Sequence, residues 1–170
     1  MGAATGVSSC GSDPVSPRSD PGNARMTFAE IETRIDSIGA GERGSDPQGL
    51  TPPQALAELL ALGETVLEHW IVARGEVPTE DTKEGFRLLA LHRQGAKGDP
   101  SFNACRETCR ELVYHYNLVA LEPDHPDMAR RIQLGALVAK HLALFVGGKM
   151  EVAGLGEFCC AAKPVRASHE

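Results

Sequence analysis

Helical spacing of apolar residues dominates this sequence, and no stretch shows the sustained alternation that a half-buried strand requires. A capping box formed by Thr27 and Glu30 opens a first helix, which Gly39 ends. Thr51 caps a second helix, which extends to Gly75. The first helix places its apolar side chains on one face: Phe28, Ile31, Ile35 and Ile38.

Three more helices are expected further along the chain. The third is predicted to begin after Thr79, the fourth near Pro100, and the fifth beyond Pro126, ending at Gly147. The last segment, 151–165, is expected to add one or two helical turns. The fold class predicted is therefore all-α, a bundle of about five to six helices.

Residues 1–25 are rich in Gly, Ser, Pro and Asp, and this composition predicts a disordered tail. Residues 26–170 are expected to form a single all-α domain. Within it, 27–95 and 101–163 resemble two copies of a three-helix unit. A shift of 72 positions aligns one set of residues with another: Leu62, Gly63, Val66 and His69 with Leu134, Gly135, Val138 and His141. Chance resemblance of two amphipathic helices is the alternative.

Charge and hydropathy limit the classes of partner. The formal net charge is -6 and the pI is near 5.5, whereas binding of nucleic acid through phosphate needs clustered Lys and Arg. The most apolar stretch, 134–146, contains Lys140 and is shorter than a membrane span. No secretory signal begins the sequence. We expect a cytoplasmic protein that binds neither nucleic acid nor membrane.

Cysteine supplies the first candidate site. Cys105 and Cys109 lie four residues apart on the predicted fourth helix, and Cys159 and Cys160 lie near the end of the sequence. Four thiolates could hold zinc or iron, although the spacing matches no common Cys-x-x-Cys motif. The competing interpretation places Cys105 and Cys109 in the core, because they occupy the same stripe as Phe102, and free cysteine packs as a small hydrophobe. No cofactor is predicted under that interpretation.

Histidine supplies the second candidate site. His69 and His141 lie at the edges of their apolar faces, and His115 follows Glu111 by one helical turn on the face opposite Cys105. Carboxylate and imidazole ligands hold metals in helical bundles, but such sites normally repeat the pair on several helices. Half-buried, hydrogen-bonded histidines are the simpler expectation.

One short segment resembles a known family. Glu122, Pro123, Asp124 and His125 are similar to the acidic Pro-Asp-His segment of the all-helical cytoplasmic chaperones that mature molybdenum enzymes. The sequence then departs from that pattern, with Ala129, Arg130 and Arg131 in place of an acidic and aromatic helix. The resemblance implies maturation of a metalloenzyme as one function.

No nucleophile elbow, phosphate-binding loop or paired carboxylate motif is present in the sequence. The apolar residues of the fifth helix extend beyond one stripe, since Leu137 and Leu144 lie opposite the main face, and either a partner or a central position within the monomer would cover them. The function predicted is therefore a non-enzymatic accessory or regulatory protein that binds another protein or itself as a homodimer. Thiol-based metal binding or redox sensing by the Cys159–Cys160 pair, with Cys105 and Cys109, is the alternative, and metalloenzyme maturation is a weaker one.

Overall fold

The computed structural model describes residues 25–41 and 49–155. In these ranges the chain forms five α-helices and one 3-10 helix, and they contain no β-strand, so the all-α prediction is confirmed. The helices are α1 (Phe28–Gly39), α2 (Pro52–Ala73), α3 (Arg87–Gly95), the 3-10 helix (Pro100–Cys105), α4 (Arg106–Leu121) and α5 (Met128–Ala153). The predicted tail and the Cys159–Cys160 pair lie outside the described residues, apart from Arg25.

The beginnings of α1 and α2 follow the capping chemistry of the sequence. The backbone N–H of Thr27 donates to the Glu30 carboxylate at 2.7 Å, and the Thr27 hydroxyl accepts from the Glu30 N–H. Thr51 and Gln54 form the same arrangement at α2. Each cap satisfies backbone donors that a helix start leaves without partners, which fixes where the helix begins.

Helix α5 occupies the centre of the bundle. It packs against α1, α2 and α4, and α3 packs against α2 and α4. The core between them is almost entirely aliphatic apart from two aromatic rings and two thiols. Its fully buried side chains include Ile31, Ile35, Leu56, Leu59, Leu67, Leu88, Leu91, Phe102, Cys109, Leu112 and Leu142.

An aromatic stack fills the end of the bundle where α3 meets the 3-10 helix. The Trp70 and Phe102 rings stack with centroids 4.9 Å apart, and the His92 ring lies on Phe102 at 5.9 Å. Trp70 Nε1 donates to the Gly95 carbonyl at 3.0 Å, which satisfies a carbonyl at the end of α3. The stack thereby holds α2, α3 and the 3-10 helix together.

Glycine allows closer approach in the middle of the bundle. A Cβ atom at Gly135 of α5 would lie 2.7 Å from Leu56 Cδ1 and 3.7 Å from His115 Cβ, and one at Gly39 would lie 2.9 Å from Ala136 Cβ. The distances of 2.7 Å and 2.9 Å leave no room for a side chain, whereas 3.7 Å is an ordinary contact. The contacts of α5 with α2 and with α1 therefore depend on residues without a Cβ.

Three predicted boundaries are wrong. The fourth helix, expected to begin near Pro100, starts with the 3-10 helix Pro100–Cys105, and α4 begins at Arg106, because Cys105, with φ -90° and ψ 7°, departs from α-helical angles. Helix α3 begins at Arg87 rather than after Thr79, because Glu84 and Gly85 adopt left-handed backbone angles, φ 54° and 84°, that interrupt a helix. Helix α5 continues past Gly147 to Ala153 and ends where Gly154 takes the left-handed cap conformation. Gly147 stays helical, packed against the Phe28 ring.

The internal duplication stays a prediction. Its third aligned helix, in 151–165, lies mostly outside the described residues. Within those residues, Cys105 and Cys109 are buried like Ile31 and Ile35, with which they align. Across the described ranges, no helix combines the length and apolar character needed to cross a membrane.

Candidate functional site

A cleft of about 1210 Å³ opens between the loop before α3, helix α3 itself and the beginning of α4. Cationic side chains dominate its lining, with two carboxylates at one side and polar amides and hydroxyls between them. The cations are Lys83, Arg93, Lys97, Arg106 and Arg110, and the carboxylates are Asp81 and Glu84. We call this feature the basic cleft.

Hydrogen bonds from α3 hold the loop that forms one wall. Gln94 donates through Nε2 to the Val77 carbonyl at 2.8 Å and accepts from the Thr79 N–H at 2.9 Å. Arg87 donates to the Thr79 carbonyl at 3.0 Å and to the Glu68 carboxylate at 2.6 Å. A wall tied to two helices gives the cleft a fixed shape before any ligand binds.

A tight turn ends this loop. Lys83 and Phe86 exchange two backbone hydrogen bonds of 3.0 Å, with the left-handed Glu84 and Gly85 between them. The Glu84 carboxylate then reaches Arg110 of α4 at 3.4 Å. Because a left-handed glutamate is uncommon, surrounding contacts must hold this turn in place.

Most of the cleft's positive charge is uncompensated. Among the residues that the structure describes, Lys83, Arg93 and Lys97 make no ion pair, and Arg106 approaches only its exposed neighbour Glu107, at 3.8 Å. The chain as a whole carries a formal charge of -6. The cleft is therefore a positively charged region in an acidic chain, and it attracts anionic groups.

His92 forms the floor of the cleft. Only 6% of the residue is exposed, and its Nε2 lies 3.4 Å from the Phe102 carbonyl. Behind it lie the two thiols of the 3-10 helix and α4. The predicted interpretation of Cys105 and Cys109 as core residues is confirmed, since they are 2% and 0% exposed.

The two thiols differ in acidity. A hydrogen bond from Cys109 lowers the pKa of Cys105 to about 6, and the His92 ring acts in the same direction against the effect of burial. The same hydrogen bond, together with burial, raises the pKa of Cys109. The Phe102 carbonyl, 3.2 Å from Cys105 Sγ, accepts from the protonated thiol and so opposes its ionisation.

The other predicted ligands do not assemble into a cluster. Within 25–41 and 49–155, no group of three or more His, Cys, Asp or Glu side chains could hold a metal ion. His69 bonds through Nδ1 to the Thr65 carbonyl at 2.7 Å and packs on Phe28, while His141 is exposed. The four-cysteine site stays a prediction, because Cys159 and Cys160 lie outside the described residues.

The expected position of His115 is wrong. It was predicted on the face of α4 opposite the core, but it is 6% exposed, because α5 covers this side of α4 at Gly135. Its Nδ1 is buried without a hydrogen-bond partner, and Glu111 lies 4.0 Å from its Nε2. Burial lowers the pKa of His115, partly opposed by Glu111.

The segment that resembles the molybdenum-enzyme chaperones forms the turn between α4 and α5. Arg131 donates to the Glu122 carboxylate at 2.7 Å and to the Leu118 carbonyl at 3.4 Å. His125 accepts from the Asp127 N–H at 3.1 Å, and Arg131 lowers the pKa of Glu122. In this structure these residues join two helices, and the chaperone hypothesis stays a prediction.

The basic cleft was not predicted from the sequence. The available signal was local charge: residues 83–110 contain six Lys or Arg and three Asp or Glu, a charge of +3 within an acidic chain. No protein-family model, no curated protein and no solved structure matches this chain.

Proposed function

We propose that this protein is a non-enzymatic accessory protein of the cytoplasm that binds an acidic segment of another protein in the basic cleft. The observation that carries the proposal is the set of cations without ion pairs, Lys83, Arg93 and Lys97, in a preformed cleft of an acidic chain. Complementary charge steers partners together and selects among them.

The dimensions of the cleft favour a peptide. Its volume of about 1210 Å³ exceeds the roughly 300–1,000 Å³ of most small-molecule sites. Thr79, Thr82 and Asn103 lie along it and offer hydrogen bonds to a main chain. An extended segment rich in Asp or Glu would match the charge of the cleft and fill its volume.

Single-stranded nucleic acid fits less well. Such ligands bind through stacking of bases on aromatic side chains, and the described residues that line the cleft include no Phe, Tyr or Trp. Asp81 and Glu84 at one side would also repel a continuous polyphosphate backbone. They leave room for a peptide whose acidic residues are interrupted by neutral or basic ones.

The test measures binding of a fluorescein-labelled peptide of alternating Glu and Gly by fluorescence anisotropy. Arg93→Glu and Lys97→Glu are each expected to weaken binding about tenfold, because each replaces an attraction with a repulsion. The exposed Arg25, outside the cleft, supplies a matched control, since Arg25→Glu makes the same change in net charge. Binding should weaken as salt is raised.

A second arm uses the native partner. Affinity purification from a native extract with wild-type protein and with the Arg93→Glu variant should show loss of an acidic-segment protein with the variant only. Equal peptide affinity for the Arg93→Glu, Lys97→Glu and Arg25→Glu proteins would overturn the proposal. Recovery of the same partners, in the same amounts, by the Arg93→Glu protein would also overturn it.

Thiol-based redox sensing is the second candidate, because Cys105 and Cys109 are buried together about one helical turn apart, and Cys109 and His92 lower the pKa of Cys105. Hydrogen peroxide would accept two electrons and two protons from the Cys105 and Cys109 thiols, forming their disulfide and water. Peroxide treatment followed by peptide mass spectrometry would detect that bond. Persistence of both thiols under peroxide would contradict this candidate, and a bound metal lost on Cys159→Ser would favour the metal-binding version.

A further inference from the structure

Helix α5 exposes a narrow line of three leucines, one histidine and one glycine on the side that faces away from α2. Its members are Leu134, Leu137, His141, Leu144 and Gly148, which we call the α5 seam. The three leucines are 40%, 64% and 53% exposed, although helices cover the other sides of α5. The seam contains no Asp, Glu, Lys or Arg, which is unusual for the exposed side of a helix.

The spacing of the seam is regular. Its residues follow one another at alternating intervals of three and four, and the same spacing continues to Arg130 before it and Glu151 after it. An apolar line with this 3.5-residue period is the pattern by which two helices pack along their length. A helix is therefore the surface that fits the seam.

We propose that two copies of this chain associate through their α5 seams, with the two helices antiparallel. The first argument is charge. Arg130 and Glu151 mark opposite ends of the line, about 32 Å apart at 1.5 Å per residue, and neither makes an ion pair among the described residues. An antiparallel copy brings each Arg130 to the other copy's Glu151, whereas a parallel copy would place like charges together.

The second argument is shape. The register that pairs Arg130 with Glu151 also pairs Leu137 with Leu144, since both pairs have the same midpoint in the sequence. Leu134 then lies within one residue, about 1.5 Å along the helix, of the level of Gly148, where a Cβ atom would have no neighbour within 4 Å. One register thus joins leucine to leucine and gives Leu134 an open space, as a two-fold interface requires.

Sedimentation equilibrium of the full chain tests the association. The wild-type chain is expected to dimerise, and Leu137→Glu to raise the dissociation constant at least about a hundredfold by burying a charge twice in the interface. Arg130→Glu and Glu151→Arg should each raise it about tenfold. The double variant should return it to within about threefold of the wild-type value.

Restoration by the double variant is the decisive result, because it reports the antiparallel pairing itself. Leu144→Glu repeats the test at a second exposed position, and Arg25→Glu controls for net charge. All these positions are exposed, so thermal unfolding should show folded variants. A wild-type chain that stays monomeric, a dimer that Leu137→Glu and Leu144→Glu leave intact, or a double variant as weak as the singles would overturn the proposal.

Discussion

The region beneath the basic cleft and the region beneath the α5 seam are packed in opposite ways. Under the cleft, large rings separate the helices, with Phe102 between Trp70 and His92. Under the seam, glycine lets the helices come closer, since a Cβ atom at Gly135 of α5 would meet Leu56 Cδ1 of α2 at 2.7 Å. The first region holds its helices apart by filling the space, and the second brings them together by leaving side chains out.

The two kinds of packing suit the two surfaces. A cleft needs helices that stand apart at a fixed distance, and an aromatic stack provides that spacing together with a hydrogen bond from Trp70 to Gly95. A seam needs one helix flanked closely by others, so that only a narrow line of it stays exposed. The comparison predicts that the two regions respond differently to a change in side-chain volume.

The largest effect is expected from Phe102→Ala. The Phe102 side chain is fully buried against Trp70 of α2, His92 of α3 and Phe145 of α5, so the substitution leaves a cavity between these helices and should cost about 3–5 kcal/mol of unfolding free energy. Urea unfolding measures the loss, and Phe28→Ala, at a half-buried ring, should cost clearly less. A loss below about 1 kcal/mol would show that the stack does not support this end of the bundle.

Addition of a methyl group tests the close packing in the region beneath the α5 seam. Gly135→Ala should lower the unfolding free energy by about 1–3 kcal/mol, because its Cβ would meet the fully buried Leu56 at 2.7 Å. Gly147→Ala is the matched control in the same helix. Its nearest neighbour, Phe28 Cδ1, would lie at an ordinary 3.5 Å, so alanine should be neutral or stabilise by up to about 1 kcal/mol. Equal effects at both positions would contradict close packing at Gly135.

The pH dependence of stability tests the burial of His115, which packs beside Gly135 of α5. Because burial lowers the pKa of His115 below its ordinary value of 6.5, an unfolded chain binds a proton there more readily than the folded chain. Stability from this group is complete above pH 6.5 and falls as the pH drops below that value. His115→Leu should remove this part of the pH dependence and leave stability at pH 8 unchanged or higher by about 1–2 kcal/mol, since the unpartnered Nδ1 is gone.

Denaturation at pH 8 and pH 5.5 measures both effects. His69→Leu serves as a control, because the Nδ1 of His69 already has a partner in the Thr65 carbonyl. If the His115→Leu protein lost as much stability between the two pH values as the wild type, His115 would not be the responsible group.

The smallest effect concerns the wall of the cleft. Glu84→Gly should change the unfolding free energy by less than about 0.5 kcal/mol, because relief of the left-handed backbone offsets the flexibility of glycine. Loss of the carboxylate should strengthen binding of the acidic peptide about two- to threefold. Asparagine tolerates the same backbone angles, so the Glu84→Asn protein should bind the acidic peptide as tightly as the Glu84→Gly protein does. Weaker peptide binding by both variants than by the wild type would contradict the assigned role of charge in the cleft.

Local patterns predicted the helices but not every boundary. The stripe of Ile31, Ile35 and Ile38 and the Thr27 capping box were sufficient for α1, because both act within one helical turn. The beginning of α3 depends instead on the left-handed turn at Glu84 and Gly85, which ends a loop that Gln94 and Arg87 hold across 15 and 8 residues of sequence. A signal confined to neighbouring residues contains no information about such contacts.

The candidate site was harder to predict than the fold. Burial of Cys105 and Cys109 followed from their place in an apolar stripe of α4. His115 was assigned to the wrong side, because the apolar stripe shows one buried face of α4 and does not show that α5 also covers a second face. The basic cleft joins cations from a loop, from α3 and from α4. Their proximity arises only when α3 packs beside α4.

The amino-acid sequence by itself determined that this chain is helical, where its first caps lie and which face of each helix is apolar, since these properties depend on residues within a turn of one another. Tertiary structure decided which apolar residues stay exposed as the α5 seam and which cations converge in the basic cleft. Both depend on the number and direction of the helices that surround a given helix. Contacts between distant segments set that arrangement, and at Gly135 and Phe102 it is side-chain volume that fixes the distance between them.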